Sequence, residues 1–273
     1  MFRILKQLAS PINKDLRQRI GFTLLVLLIF VIGVNVRVPG TQDYTGSLGF
    51  LEIVNAMSGG ALKNFSIFAL GVMPYITASI IMQLLQMDII PYFSELGKQG
   101  QTGRNKLNRI TRYIGIVLAF VQGYVFSFAF VNNGTPMDYL TFALILTAGT
   151  SLLLWMGDRI TEKGLGNGTS MIIMAGIIAT LPNMFYVTYN SFVPDGGTLG
   201  ILKFVGFVLL YIIILLGVVF VETSERRIPI QYANKTTSMY GKQNSYIPFK
   251  LNSAGVMPVI FASIILTIPG IVS

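Results

Sequence analysis

The sequence contains no cysteine and no histidine. Disulfide staples, thiol nucleophiles, imidazole bases and the common transition-metal ligands are therefore excluded together. Charge is scarce as well: Lys, Arg, Asp and Glu make up 11% of the 273 residues, against roughly 25% in an ordinary soluble domain. With 53% apolar residues and a mean hydropathy of +0.67, the chain cannot cover itself with a water-facing surface, which excludes a soluble enzyme. Catalysis of any kind would fall to carboxylates, Lys, Ser or Tyr.

What is present is a series of long apolar runs. An uninterrupted stretch of about 20 residues crosses a bilayer core of roughly 30 Å as a helix. Seven stretches approach that length: Ile20 to Val38, Ser66 to Leu85, Tyr113 to Val131, Tyr139 to Gly157, Ser170 to Tyr189, Leu199 to Val221 and Ala254 to Val272. The first follows a basic segment and runs into Arg37, Val38, Pro39 and Gly40 rather than a small-residue cleavage site, so it reads as a retained span and not a signal peptide.

The net charge of +9 could suggest nucleic acid, but placement decides otherwise. Seventeen of the twenty basic residues fall before span one, between spans two and three, between four and five, and between six and seven. Only Arg37, Lys63 and Lys203 lie on the other side. The positive-inside rule puts the N-terminus in the cytoplasm, and the clean alternation supports the span count itself. The expected architecture is an all-α polytopic membrane protein, with residues 1–19 as a cytoplasmic N-terminal segment.

No acidic residue lies deep within a span. Ion-coupled transporters and proton relays keep such a group near mid-membrane despite a cost of at least about 2.5 kcal/mol. A small-molecule secondary transporter is thus the weaker alternative, and an intramembrane hydrolase lacks its His, Lys or paired acids. The span interiors instead hold Gly71, Pro74, Gln83, Gln122, Pro182, Pro258 and Pro269.

An internal repeat is the most specific signal. Gly71 to Ile81 reads GVMPYITASII and Gly255 to Ile265 reads GVMPVIFASII, nine identities in eleven positions. The copies lie five spans apart and cross the membrane in opposite directions, as in an inverted-topology repeat whose interface carries a transport path. The first half then covers 20–198 (spans one to five) and the start of the second covers 199–273 (spans six and seven), so that the second copy is incomplete. Gly and Pro that merely kink packed helices are the plainer alternative.

Five segments in order, GVMPYITASIIMQLLQMD, KQGQTGRNKLNRITRY, GDRITEKGLGNGTSMIIMAGI, RRIPIQY and KLNSAGVMPVIFASI, resemble the SecY family of bacterial protein-translocation channel subunits. Three departures stand out. The family continues with three further spans, its usual Glu-Gln before Ile-Thr is Asp158 and Arg159 here, and an Arg often found in span one is Val31. The first raises a truncated channel subunit as a further alternative.

The resemblance implies a passive channel of the bacterial cytoplasmic membrane, with no catalytic residues, cofactor or metal. It would move secretory proteins across, and insert membrane proteins into, that membrane. An apolar pore ring is expected from Val72, Ile76 and Ile80 of span two, Ile173 of span five, and Val256 and Ile260 of span seven. Val72, Ile76 and Ile80 share a helical face at four-residue spacing, although packing against neighbouring helices or lipid explains the same pattern. A plug helix is expected near 58–70, opening with Ser58, Gly59, Gly60, Ala61, Leu62, Lys63, Asn64 and Phe65.

Gln83, Gln122 and Asn252 are the implied polar contacts of a lateral gate. Arg226, Arg227, Lys235, Arg104 and Lys106 are the implied cytoplasmic docking cations. The implied partners are SecE-like and SecG-like small subunits, the SecA motor ATPase, the ribosome, signal sequences, nascent polypeptides and lipid. The GLGNG turn lacks the preceding strand and the Lys-Ser/Thr of a phosphate loop, so it reads as a connection and not a nucleotide site.

Overall fold

A computed structural model describes residues 14–41, 55–131, 134–193, 197–229, 246–250 and 262. Five helices in it are long and apolar enough to cross a membrane. They are α1 (Lys14–Val34), α4 (Gly100–Phe130), α5 (Pro136–Lys163), α6 (Gly168–Phe192) and α7 (Gly197–Thr223). Between α1 and α4 lie α2 (Met73–Leu84), a π-helical turn at Leu85–Ile89, and α3 (Pro91–Lys98). Expected span seven, apart from residue 262, lies outside the described residues.

Local chemistry sets the ends of these helices. Asp15 in the first turn of α1 sits favourably at the positive end of the helix dipole and pairs with Arg19 at 3.0 Å. Thr135 caps α5 in a reciprocal box, its backbone N–H donating to Asp138 Oδ2 at 2.8 Å, with Pro136 preset at the first helical position. Asn167 Oδ1 accepts from the Thr169 and Ser170 N–H groups and starts α6.

Span two departs from expectation. The stretch from Ser66 to Leu85 is apolar enough for a full crossing, yet its helix begins only at Met73. Gly71 sits at φ +57° and Pro74 follows in the first turn, so the helix starts there and is about 18 Å long at 1.5 Å per residue. Its far end bends by 95° into α3 beyond the π turn. Span one also stops short. Residues after Val34 turn into extended backbone, where Val38 N–H donates to Phe65 O and Ile67 N–H to Val36 O, both at 3.1 Å, around an antiparallel Arg37–Ser66 bridge.

The chain forms two compact units divided between Asn183 and Met184, inside α6. In the first, α4 packs along α5 and α2, and α1 along α5. Gly115 lets α4 approach the Tyr75 backbone of α2, where an added Cβ would lie 3.2 Å from Tyr75 Cα. Arg112 and Asp158 join the cytoplasmic ends of α4 and α5 as an ion pair. A smaller cluster of Met82, Leu96 and Leu107 seats α3.

The turn from α5 to α6 is held from α1. Thr23 Oγ1 donates to Arg19 O at 2.8 Å and accepts from Leu165 N–H at 3.1 Å, while Thr161 Oγ1 accepts from Gly168 N–H at 2.9 Å. Thr23→Val keeps the shape and removes both bonds of Thr23. It is expected to cost about 1 kcal/mol, read as a lower melting temperature in detergent, and an unchanged value would show that the α1 contact does not hold this turn.

In the second unit, Phe185 of α6 meets Phe207 and Tyr211 of α7 edge-on at 6.3 and 5.6 Å between ring centroids. Beyond α7, β1 (Glu225–Pro229) pairs antiparallel with β2 (Tyr246–Lys250).

Candidate functional site

Residues 58–72, which lead into α2, form a run of turns and are mostly buried. The first turn is built on Asn55, whose backbone oxygen accepts from Gly60 N–H at 2.7 Å and Ser58 Oγ at 3.0 Å. Asn55 Oδ1 accepts from Lys63 N–H at 2.9 Å. Gly59 and Gly60 hold φ near +75° and +83°, and Phe65 is left-handed at +42°. Residues 58–72 are consequently a chain of turns, which corrects the short plug helix implied by the resemblance. Repeated positive φ values interrupt any helical hydrogen-bond ladder there.

This segment is nevertheless deeply seated. Ala61, Leu62 and Phe65 are fully buried, whereas Lys63 is exposed. Its seat depends on glycines in the neighbouring spans. An added Cβ at Gly176 of α6 would lie 2.5 Å from Met57 O and 3.0 Å from Gly59 N, and one at Gly149 of α5 would overlap Ile67 O. Phe65 packs on Phe130 at 4.5 Å between centroids. The hydroxyls of Ser66 and Thr150 are buried without a hydrogen-bond partner among the described residues.

Three of the expected ring residues come together. Val72, Ile76 and Ile173 belong to one apolar cluster, which also contains Ala61 of the turn segment, Phe30 and Val34 of α1, and Ile172 of α6. Ile76 also touches the neighbouring cluster that holds Leu62, Phe65 and Leu70. Ile80 is buried but does not join that grouping. Val256 and Ile260 lie outside the described residues.

Of the expected gate residues, Gln83 is exposed on α2, Gln122 is half-buried on α4, and Asn252 lies outside the described residues. Arg104 and Lys106 are exposed in the first turns of α4, on a cytoplasmic extension that begins well before the apolar run at Tyr113. Arg226 and Arg227 are exposed on β1, and Lys235 lies outside the described residues. Residue patterns alone do not single out Thr23, Gly149 or Gly176, because each matters through a partner distant in sequence.

These features define a multi-pass helical membrane protein in which a buried, non-helical segment abuts an apolar cluster lined by α1, α2, α5 and α6. The SecY family profile matches residues 66–273. The chain is 47% identical to the protein translocase subunit SecY of Staphylococcus carnosus, covering 94% of this chain and 64% of that protein. It thus spans slightly less than two thirds of the length of such relatives. The chain belongs to the SecY family.

Solved channels share its fold. Sec61 in the canine ribosome-channel complex from the endoplasmic reticulum superposes with a TM-score of 0.68 at 21% identity, covering 97% of this chain and 61% of that one. A SecY structure whose plug domain is reported to stabilise the closed translocation channel and maintain a membrane seal gives 0.68 at 19% identity, covering 98% and 61%.

Proposed function

We propose that the chain contributes the central pore-forming subunit of a protein-conducting channel, through which secretory proteins cross, and membrane proteins enter, the bacterial cytoplasmic membrane. The observation that carries this reading is the cluster in which Val72, Ile76 and Ile173, from two different spans, meet Ala61 of the turn segment. Branched apolar groups converging on one point exclude ions by dewetting and offer a passing chain no strong binding site. The turn segment is read as the plug above that constriction, and the likeness to a SecY channel sealed by its plug domain supports this.

Opening toward lipid is assigned to a lateral gate whose described members are Gln83 and Gln122. Interhelical polar contacts in membranes average about 0.6 kcal/mol, so a bound signal sequence could part such a seam. The driving energy would come from partners, a SecA-like motor or the ribosome, with SecE-like and SecG-like subunits bracing the channel. Family membership and the canine ribosome-channel likeness support that set.

The absence of cysteine gives a direct test. Ile76→Cys in the assembled complex is expected to form a disulfide with a stalled secretory precursor carrying one cysteine, only when the signal sequence and motor are present. If the thiol introduced at position 76 stays uncrosslinked while a cysteine beside Arg227 still meets the motor, docking stands and the path through α2 is wrong.

A further inference from the structure

Residue 65 is held in a backbone conformation that its side chain opposes. Phe65 N–H donates to Leu62 O at 3.1 Å and Ser66 N–H to Ala61 O at 3.0 Å, after Asn64 N–H has closed one turn on Gly60 O at 3.4 Å. Paired bonds of this kind, the Schellman motif, end a helical turn by putting one residue in the left-handed region, a place that glycine normally takes. Here that residue is Phe65, at φ +42°, and among the described residues it is the non-glycine residue with a positive φ. A bulky side chain is an outlier there, at a cost that corresponds to about fivefold to a hundredfold in an equilibrium. Such strain lasts only where the surroundings fix the residue.

Two sets of contacts fix Phe65. Its ring is fully buried, tilted against Phe130 at the end of α4 with 4.5 Å between centroids, and edge-on to Phe142 of α5 at 6.3 Å. Its carbonyl accepts from Val38 N–H at 3.1 Å, beside the Arg37–Ser66 bridge. A glycine would relieve the strain, as Gly59 and Gly60 do at φ +75° and +83° in the preceding turn, but it would leave the place of the ring unfilled. The left-handed backbone and the seated ring therefore require each other. A right-handed or extended residue 65 would break the turn and carry the ring out of its seat, and a ring out of its seat leaves the strain without an offset.

We propose that Phe65 is the catch of the turn segment: its ring, set against Phe130 and Phe142, holds residue 65 left-handed and the segment seated, and withdrawal of the ring lets the backbone relax and the turn undo in the same step. With the segment read as the plug, on which this inference rests, Phe65 decides whether the plug stays in place. The strain favours the released form, so the seated form stands on the contacts of the ring rather than on the turn itself.

The test reads the assembled complex without precursor, through the labelling rate of Leu62→Cys by a membrane-impermeant thiol reagent. Phe65→Ala removes the ring and keeps a Cβ in the left-handed region, and labelling is expected to quicken by about a hundredfold or more. Phe65→Gly removes the same ring and the strain with it. Set against the flexibility that glycine adds, that relief is expected to make it label about threefold more slowly than the alanine variant. At a turn position without left-handed strain glycine would label faster than alanine, and that order overturns the proposal. Phe130→Leu leaves residue 65 untouched and keeps the site apolar, and it is expected to quicken labelling by about threefold to tenfold, the worth of an aromatic pair. The same change added to Phe65→Leu is expected to contribute about twofold or less, because the pair is already lost. A full second increment would show that the two rings act independently, and it too overturns the catch. Ring-dependent labelling with unchanged resting conductance keeps the catch and removes the plug reading instead, so the two fail separately.

Discussion

Ile76→Asn in the assembled channel is expected to raise resting ion conductance by roughly tenfold or more, since about 1.4 kcal/mol lost from a closed state shifts its equilibrium tenfold. Ile76 lies between the cluster of Val72, Ile173 and Ala61 and the cluster of Leu62, Phe65 and Leu70, so its side chain joins the proposed constriction to the turn segment. Burying an amide there without a partner costs about 1 to 3 kcal/mol on the scale of protein mutations. The amide escapes that cost by recruiting water, and a wetted waist conducts. Ile76→Val keeps the surface apolar and is expected to leave the resting seal near that of the parent. The check is conductance of the purified complex in planar bilayers without precursor. Equal leakage from the Asn and Val variants would remove Ile76 from the seal and leave it a packing residue.

The long helices are legible in the sequence because each rests on a local property. In α6 and α7 an apolar run near bilayer length coincides with the helix to within three residues at each end, in α1 and α5 to within six, and caps such as Thr135 with Asp138 sharpen the ends. Span two is misleading because hydropathy scores only how apolar a stretch is. Residues 66–72 are as apolar as a helix interior but are buried as turns, with backbone groups such as Ile67 N–H satisfied by Val36 O rather than by a helical ladder. The first part of α4 is hidden for the converse reason. Its polar face with Arg104 and Lys106 masks a helix held by Leu107 against Leu96 and Met82. The hairpin escapes a sequence reading because its strands are short and separated by a long intervening stretch.

The candidate site is legible to a different degree. The grouping of Val72 and Ile76 follows from four-residue spacing, but Ile173 joins them only through the packing of α6, and nothing in its own neighbourhood announces that. Ile80 has the same spacing and is buried without joining the cluster, because one helical face need not meet one partner along its whole length. Gly176 reads in sequence as a small residue in an apolar run. Its role appears only where a backbone from more than a hundred residues earlier comes against it.

Gly176→Val is expected to unseat the turn segment. A single added Cβ already lies 2.5 Å from Met57 O and 3.0 Å from Gly59 N, both backbone atoms, and valine adds two methyl groups beyond it. The helix has little room to retreat: Ile172, one turn earlier, is buried in the cluster with α1 and α5, and Gly168 lies against the backbone of Gly157. The turn at 55–60 must therefore move, and overpacking of this kind typically costs about 1 to 3 kcal/mol. Leu62→Cys, at a position fully buried in the parent, then becomes a reporter. Its labelling by a membrane-impermeant thiol reagent should quicken by about fivefold to a hundredfold, the factor which that energy corresponds to at 1.4 kcal/mol per tenfold. Gly206→Val is the control, because an added Cβ there meets nothing within 4 Å, and it should leave the thiol at position 62 protected. Protection that survives Gly176→Val would show that the segment does not depend on α6 for its seat. Faster labelling with unchanged resting conductance would separate the two roles, leaving the segment seated on α6 and placing the ion seal in the ring of Val72, Ile76 and Ile173 alone.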